Sequence, residues 1–148
     1  MTDTQKPGRR IELPGVYNMR DIGGYQTEDG EHTRWRTFVR ADSLHRLSSK
    51  SQEELLDLGI RSVIDLRQTT ETISEPDVFY GSSKTRYYHM NMIGDDQVYE
   101  MQEDLETSAR VAVGYSQWID RRADAIGNIL RTLALPGSVP AIYHCAGG

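Results

Sequence analysis

The chain's apolar positions follow two periods, and these divide it into helical and strand-like segments. In "LSSKSQEELLDLGI", Leu55 and Leu58 share one helical face, Ser51 and Glu54 have capping-box spacing, and Gly59 stands where a helix would stop. "RSVIDL" follows at once as an apolar run suited to a buried strand. Upstream, "WRTFVRA" alternates Trp35, Thr37 and Val39 against Arg36, Phe38 and Arg40, which predicts a short strand. Downstream, "QTTETISE" predicts a short helix closed by Pro76, and "TRYYHMNM" predicts an aromatic strand. "IGDDQVYEMQEDLE" is acidic and irregular or weakly helical. From Ser108 to Leu135, the residues Tyr115, Trp118, Ile119, Ile126, Leu130 and Leu133 step by three and four, predicting one long helix with a core-facing stripe. Pro136-Gly137 ends it, and "VPAIYH" is the last strand.

Three strands, at 61–66, 86–92 and 139–144, are thus separated by helical segments, which is the grammar of an α/β protein. The long crossover before the last strand favours parallel pairing. Residues 1–10 read as a disordered polar tail, and 11–148 as part of one domain. Composition qualifies this picture. Only 37% of the 148 residues are apolar and mean hydropathy is −0.60, so either the core is thin or the chain lacks a part that completes it.

A net charge of −5 with no Lys/Arg cluster argues against nucleic-acid binding, although a local pocket could still hold an anion. One cysteine excludes an internal disulfide and suits a reducing compartment. The N-terminus has no apolar signal core, and no apolar run is long enough to span a bilayer. The expectation is a soluble cytoplasmic protein, with secretion by a signal-independent route left open.

In parallel sheets, sites form outside the carboxyl ends of the strands. Here those ends carry Arg67, the Gly94-Asp95-Asp96 turn and Cys145-Ala146-Gly147-Gly148. A cysteine followed by small residues suits a loop whose backbone N–H groups cradle an oxyanion, and that field favours a thiolate. His144 would hold the loop or the sulfur. A thiolate in an anion cradle is a nucleophile aimed at phosphorus. Such chemistry needs a proton donor for the leaving oxygen, for which Asp95 or Asp96 is placed, and a guanidinium for the equatorial oxygens. Arg67 is one candidate, but no arginine follows Cys145 in the chain.

Each residue also has a plainer reading. A strand-end cysteine is usually a small buried hydrophobe. Asp95 and Asp96 suit a solvated turn. Arg67 could pair with a surface acid. Arg20 and Asp21, in a glycine-rich loop, read first as a loop-pinning ion pair and second as substrate contacts.

Four segments together resemble one family. "HCAGG" is similar to the start of the His-Cys-x5-Arg phosphate loop of cysteine-dependent phosphatases. "NMRDIGG" (18–24), "RADSL" (40–44) and "LGIRSVIDLR" (58–67) resemble Asn-Phe-Arg-Asp-Leu-Gly-Gly, Arg-Ser-Asp-x-Leu and Leu-Gly-Ile…Asp-Leu-Arg in the bacterial tyrosine phosphatases that include mycobacterial protein tyrosine phosphatase B. Met19 stands for an aromatic, Ala41 for a serine, and Gln68 follows the Asp-Leu-Arg. The resemblance implies a phosphotyrosine protein phosphatase-like α/β fold, a mostly parallel central sheet flanked by helices, of which this is the N-terminal portion. It implies a loop His-Cys-x-x-Gly-Lys-Asp-Arg, with Ala146, Gly147 and Gly148 binding phosphate and the arginine three residues past Gly148. In some members the loop aspartate takes part in acid catalysis, which competes with Asp95 and Asp96.

The function so implied is a protein-tyrosine phosphatase working through a phosphocysteine on Cys145, with no metal or other cofactor. Its substrate would be a phosphorylated protein, with dual specificity or phosphoinositide activity as extensions. The 148 residues alone would be inactive, would expose an apolar face, and could be completed by another chain supplying the C-terminal part. Two other readings compete. One is a catalytically incompetent fragment or phosphate-binding protein. The other is a rhodanese-like sulfurtransferase, which explains none of the three upstream segments.

Overall fold

The computed structural model describes residues 8–95 and 107–148. Five strands form one sheet in the order β1 (Arg20–Asp21), β2 (Phe38–Ala41), β5 (Ala141–His144), β3 (Ser62–Asp65) and β4 (Arg86–His89). β1 runs antiparallel to β2, and every other pairing is parallel. The helices are α1 (Ser49–Asp57), α2 (Thr69–Ser74), α3 (Thr107–Arg121) and α4 (Ala123–Leu133). This is an α/β fold with a mostly parallel sheet flanked by helices. No helix among the described residues is long and apolar enough to cross a membrane.

The core collects on the central strands. Val39, Ala41, Val63 and Ile142 from β2, β3 and β5 pack with Leu55 of α1, with Leu44 and Leu47 after β2, with Ile60 and Phe79, and with Leu13, Val16 and Met19 of the N-terminal segment. All four residues of β3 are buried, as its apolar run requires of a strand covered on both faces.

The N-cap of α1 lies three residues before the expected one. Ser48, not Ser51, is its N-cap, with Oγ accepting from Ser51 N at 3.1 Å. Ser51 is buried, and its hydroxyl donates to Pro14 O at 3.0 Å, so it ties the helix to the N-terminal segment. Leu58 is the C-cap and 38% exposed, whereas Leu55 is fully buried. Gly59 ends the helix as expected, with φ +87 and its N–H on Leu56 O. Ser48→Ala should remove the cap and cost about 1 kcal/mol. The urea unfolding midpoint measures this, and an unchanged midpoint would leave the cap without energetic weight.

Three expectations are corrected here. The helix foreseen over 108–135 is two helices, broken at Arg122, whose φ of −120 leaves the helical region. The Arg122 side chain pins this break, with Nε donating to Met92 O at 3.1 Å and Nη2 to Asn91 O at 3.2 Å. The stripe along these helices is not core either. Tyr115, Ile119 and Leu130 are 51%, 64% and 61% exposed, and α4 has no buried residue. Periodicity shows that a helix has an apolar face; it carries no information about what covers that face. At the other end, Arg9 and Arg10, counted in the polar tail, meet β1 instead. Arg9 O accepts from Asp21 N at 2.8 Å, and Arg10 bridges to Arg20.

Candidate active site

Parallel register lines up the carboxyl ends of three strands. His144 of β5 pairs with Ala41 of β2 on one side and Asp65 of β3 on the other. The chain leaving these ends brings Asp42 and Ser43, Cys145, and Arg67 to one edge.

Cys145 is half-buried, and its sulfur has two donors. Arg40 Nη2 lies 2.8 Å from Sγ, and the backbone N–H of Gly148 points to it at 3.3 Å. The Arg40 fork also reaches Tyr143 O through Nη1 at 3.4 Å, with its guanidinium 5.4 Å from the Tyr143 ring centroid. A sulfur held by a cation and a peptide N–H suits an anionic nucleophile or an anion bound beside it.

The two upstream segments hold this loop in place. Buried Asp42 accepts from Tyr17 N at 3.0 Å and Asn18 N at 2.9 Å through Oδ1. Asn18 Nδ2 then donates to Gly147 O at 3.1 Å, and Ser43 N donates to Ala146 O at 3.2 Å. "NMRDIGG" and "RADSL" are therefore a buttress for the cysteine loop. Within the first, Asp21 is 1% exposed and accepts from Gly23 N and Arg36 N, both at 2.8 Å. A Cβ on Gly23 would lie 2.5 Å from Trp35 Cα, so no other residue fits this close approach. Arg20 instead donates through Nη1 to Asn18 O and Oδ1, each at 2.9 Å. Arg20 and Asp21 thus pin the loop separately and not as an ion pair with each other.

Arg67 sits at the expected strand end but turns inward. It is 1% exposed, donates through Nε and Nη2 to both oxygens of Asp65, and reaches Ser43 Oγ and Glu75 O through Nη1. A guanidinium so committed is not placed to bind phosphate, which corrects the expectation. The reason is Asp65 two residues earlier, whose buried carboxylate accepts from both Nε and Nη2 of the guanidinium. Burial is the largest single influence on the Arg67 pKa and works to lower it, but the Asp65 hydrogen bonds together with the charges of Asp65, Asp77 and Tyr87 leave the value raised. Burial likewise works against the Asp65 carboxylate, and its Arg67 hydrogen bonds and the proximity of His144 still hold it below the usual carboxylate range. Tyr87 donates to Asp65 Oδ2 at 2.9 Å, and burial together with that carboxylate pushes its hydroxyl well above the ordinary phenol range.

His144 is fully buried beside this cluster. Its Nε2 lies 3.1 Å from Asp77 Oδ2 and 3.7 Å from Asp65 Oδ2, while Nδ1 lies 3.3 Å from Cys145 O. The ligand atoms of Asp65, Asp77 and His144 fall within 4.8 Å of one another, a spacing a metal ion could use. Arg67 already holds both Asp65 oxygens, whereas His144 Nε2 and Asp77 Oδ2 are buried beside each other without a hydrogen-bond partner among the described residues.

Asp95 is corrected as the proton donor. Its Oδ1 accepts from Thr69 N at 2.9 Å and Asn91 Nδ2 at 2.8 Å, and Oδ2 accepts from Thr69 Oγ1 at 2.7 Å. The Thr69 hydroxyl and N–H lower its pKa, which favours the ionised carboxylate over the acid form that a proton donor needs. It serves instead as a tether for the start of α2. Asp96 lies outside the described residues.

Sequence reasoning gave no role to Arg40, Asn18, Asp42 or Asp65. Their signal was their place inside the resembling segments, together with the alternation that puts Arg40 on the same side of the sheet as Tyr143, its partner in register.

Comparison with known proteins bears on what this edge does. A tyrosine-protein phosphatase of Nostoc commune is 26% identical over 113 residues, which are 75% of this chain and 38% of the relative. The chain therefore spans less than two fifths of that relative's length. The sequence model of the tyrosine phosphatase family matches residues 11–148, from the first core residues through the cysteine loop. By that match, the chain belongs to the tyrosine phosphatase family.

Proposed function

We propose that the chain carries the nucleophile of a cysteine-dependent protein-tyrosine phosphatase. The Cys145 thiolate attacks phosphorus, the P–S bond forms as the P–O ester bond breaks, and the leaving phenolate takes a proton from an acid other than Asp95. Water then attacks phosphorus, the P–S bond breaks, and inorganic phosphate leaves with the thiolate restored. The observation that carries this reading is Cys145 Sγ, at the carboxyl edge of a parallel sheet, facing a guanidinium and a backbone N–H. His144 positions the loop through its contact with Cys145 O. Phosphotyrosine is the reference substrate, as in the mycobacterial branch that the motifs resemble, with phosphoserine, phosphothreonine or phosphoinositides as extensions.

The resemblance calls for a loop arginine, and none of the three residues after Cys145 is one. We therefore expect the 148-residue chain to bind phosphate without turning over p-nitrophenyl phosphate, since it offers no arginine in the cysteine loop. The mechanism is tested by mixing the protein that carries this chain with a 32P-labelled phosphotyrosine peptide, denaturing within milliseconds, and mapping the label. Label on the Cys145 peptide supports the phosphocysteine. Turnover with no label there at any quench time, or with label on another residue, would overturn it.

A further inference from the structure

We propose that Arg40 is an oxyanion-binding residue of the Cys145 pocket, supplied by β2 and not by the cysteine loop. In the ligand-free protein its fork donates to the sulfur; with a phosphoryl group or other tetrahedral oxyanion beside the sulfur, it donates to the nonbridging oxygens. This rests on the reading of Cys145 as the phosphatase nucleophile.

Three observations support it. The first is distance and direction: Arg40 Nη2 is 2.8 Å from Sγ, nearer than the loop's own N–H at 3.3 Å. The second is commitment. Among the arginines near this edge, Arg67 is buried and spends its donors on Asp65, Ser43 and Glu75, and Arg20 donates to Asn18. Among the described residues Arg40 has one other hydrogen-bond acceptor, Tyr143 O at 3.4 Å, so a guanidinium with five donors keeps most of them for an anion. The third is charge. Arg20 and Arg40 stand directly opposite each other across β1 and β2, where like charges destabilise the pair. Both guanidiniums act on the Tyr143 hydroxyl, pulling its pKa down against the larger effect of burial. Two cations set together in a chain of net charge −5 make a local positive field, and an anion on the sulfur side relieves their repulsion.

The competing explanation is structural: Arg40 would only tie β2 to Tyr143. Protection of Cys145 from iodoacetamide separates the two, measured on the full-length protein by mass mapping of the Cys145 peptide against rising inorganic phosphate. In the wild type, phosphate should slow alkylation. In Arg40→Gln the half-protecting concentration should rise at least about tenfold, the loss expected for one charge-assisted hydrogen-bond donor. In Arg40→Lys, which keeps the charge but not the fork, it should rise by about threefold. Thermal unfolding shows whether each variant is folded. Equal protection in wild type and folded Arg40→Gln would overturn the proposal while leaving the nucleophile reading intact. Should Arg40→Gln not fold, an unchanged constant in Arg40→Lys would overturn it. A wild-type Cys145 that phosphate does not protect at all would sink both.

Discussion

Replacing Cys145 by serine is expected to lower kcat of the full-length protein with p-nitrophenyl phosphate by at least about 10⁴-fold while phosphate binding persists. The hydroxyl is a far weaker nucleophile at neutral pH than a thiolate, and nothing among the described residues is placed as a general base for it. The cradle does not depend on sulfur. Gly148 N–H and Arg40 remain, and the loop is still held by Asn18 and Ser43. Calorimetric titration with phosphate should therefore give a dissociation constant within a few-fold of wild type, and kcat should carry the whole effect. A variant that keeps wild-type turnover would end the claim that Cys145 is the nucleophile. Loss of activity together with loss of the unfolding transition would move Cys145 to a structural role.

The second large effect concerns stability. Asp65 is fully buried and is the hub for Arg67, Tyr87 and, at 3.7 Å, His144. Asp65→Asn leaves the Arg67 guanidinium buried without its countercharge, which should cost about 3–5 kcal/mol. For a domain whose total stability is about 5–15 kcal/mol, that approaches global unfolding. Arg67→Met in the same background removes the stranded charge and should recover much of the loss, so the pair should show strong coupling in a double-mutant cycle.

The pH dependence follows from the direction of the Asp65 shift. Its folded pKa is depressed, so the unfolded state takes up the proton first as pH falls. The stability it contributes is complete above the ordinary carboxylate pKa of about 4 and is lost as pH falls through the lower folded value. Urea midpoints should decline below that point in the wild type, and the decline should be shallower in Asp65→Asn. Identical acid profiles in the two proteins, or an Asp65→Asn variant as stable as wild type, would remove Asp65 from this role.

Much of the molecule was readable from local pattern. The helix before Gly59, the buried run 62–65 and the final strand into Cys145 are set by side chains a few residues apart, which sequence displays directly. Parallel pairing followed from crossover length, since a parallel strand needs a long return. The cysteine's place at a strand end followed from both. The cap of α1 was misplaced because Ser48 and Ser51 carry the same local signal. Only the buried contact from Ser51 to Pro14, 37 residues away in sequence, tells them apart.

The arginines mark the boundary most clearly. Sequence alone determined that Arg67 leaves a strand end at the site edge and that Arg40 sits in a short strand, whose pairing beside the cysteine strand only the fold reveals. Tertiary structure decided that Arg67 turns into the core, where Asp65 and Ser43 wait, and that Arg40 turns toward the cysteine sulfur. The same division holds for the apolar stripe on α3 and α4, whose existence is written in its period and whose exposure is not. The physical reason is common to all three. Period, propensity and capping act between near neighbours, whereas a long side chain chooses its partner by distance and burial among groups that only the folded sheet brings together.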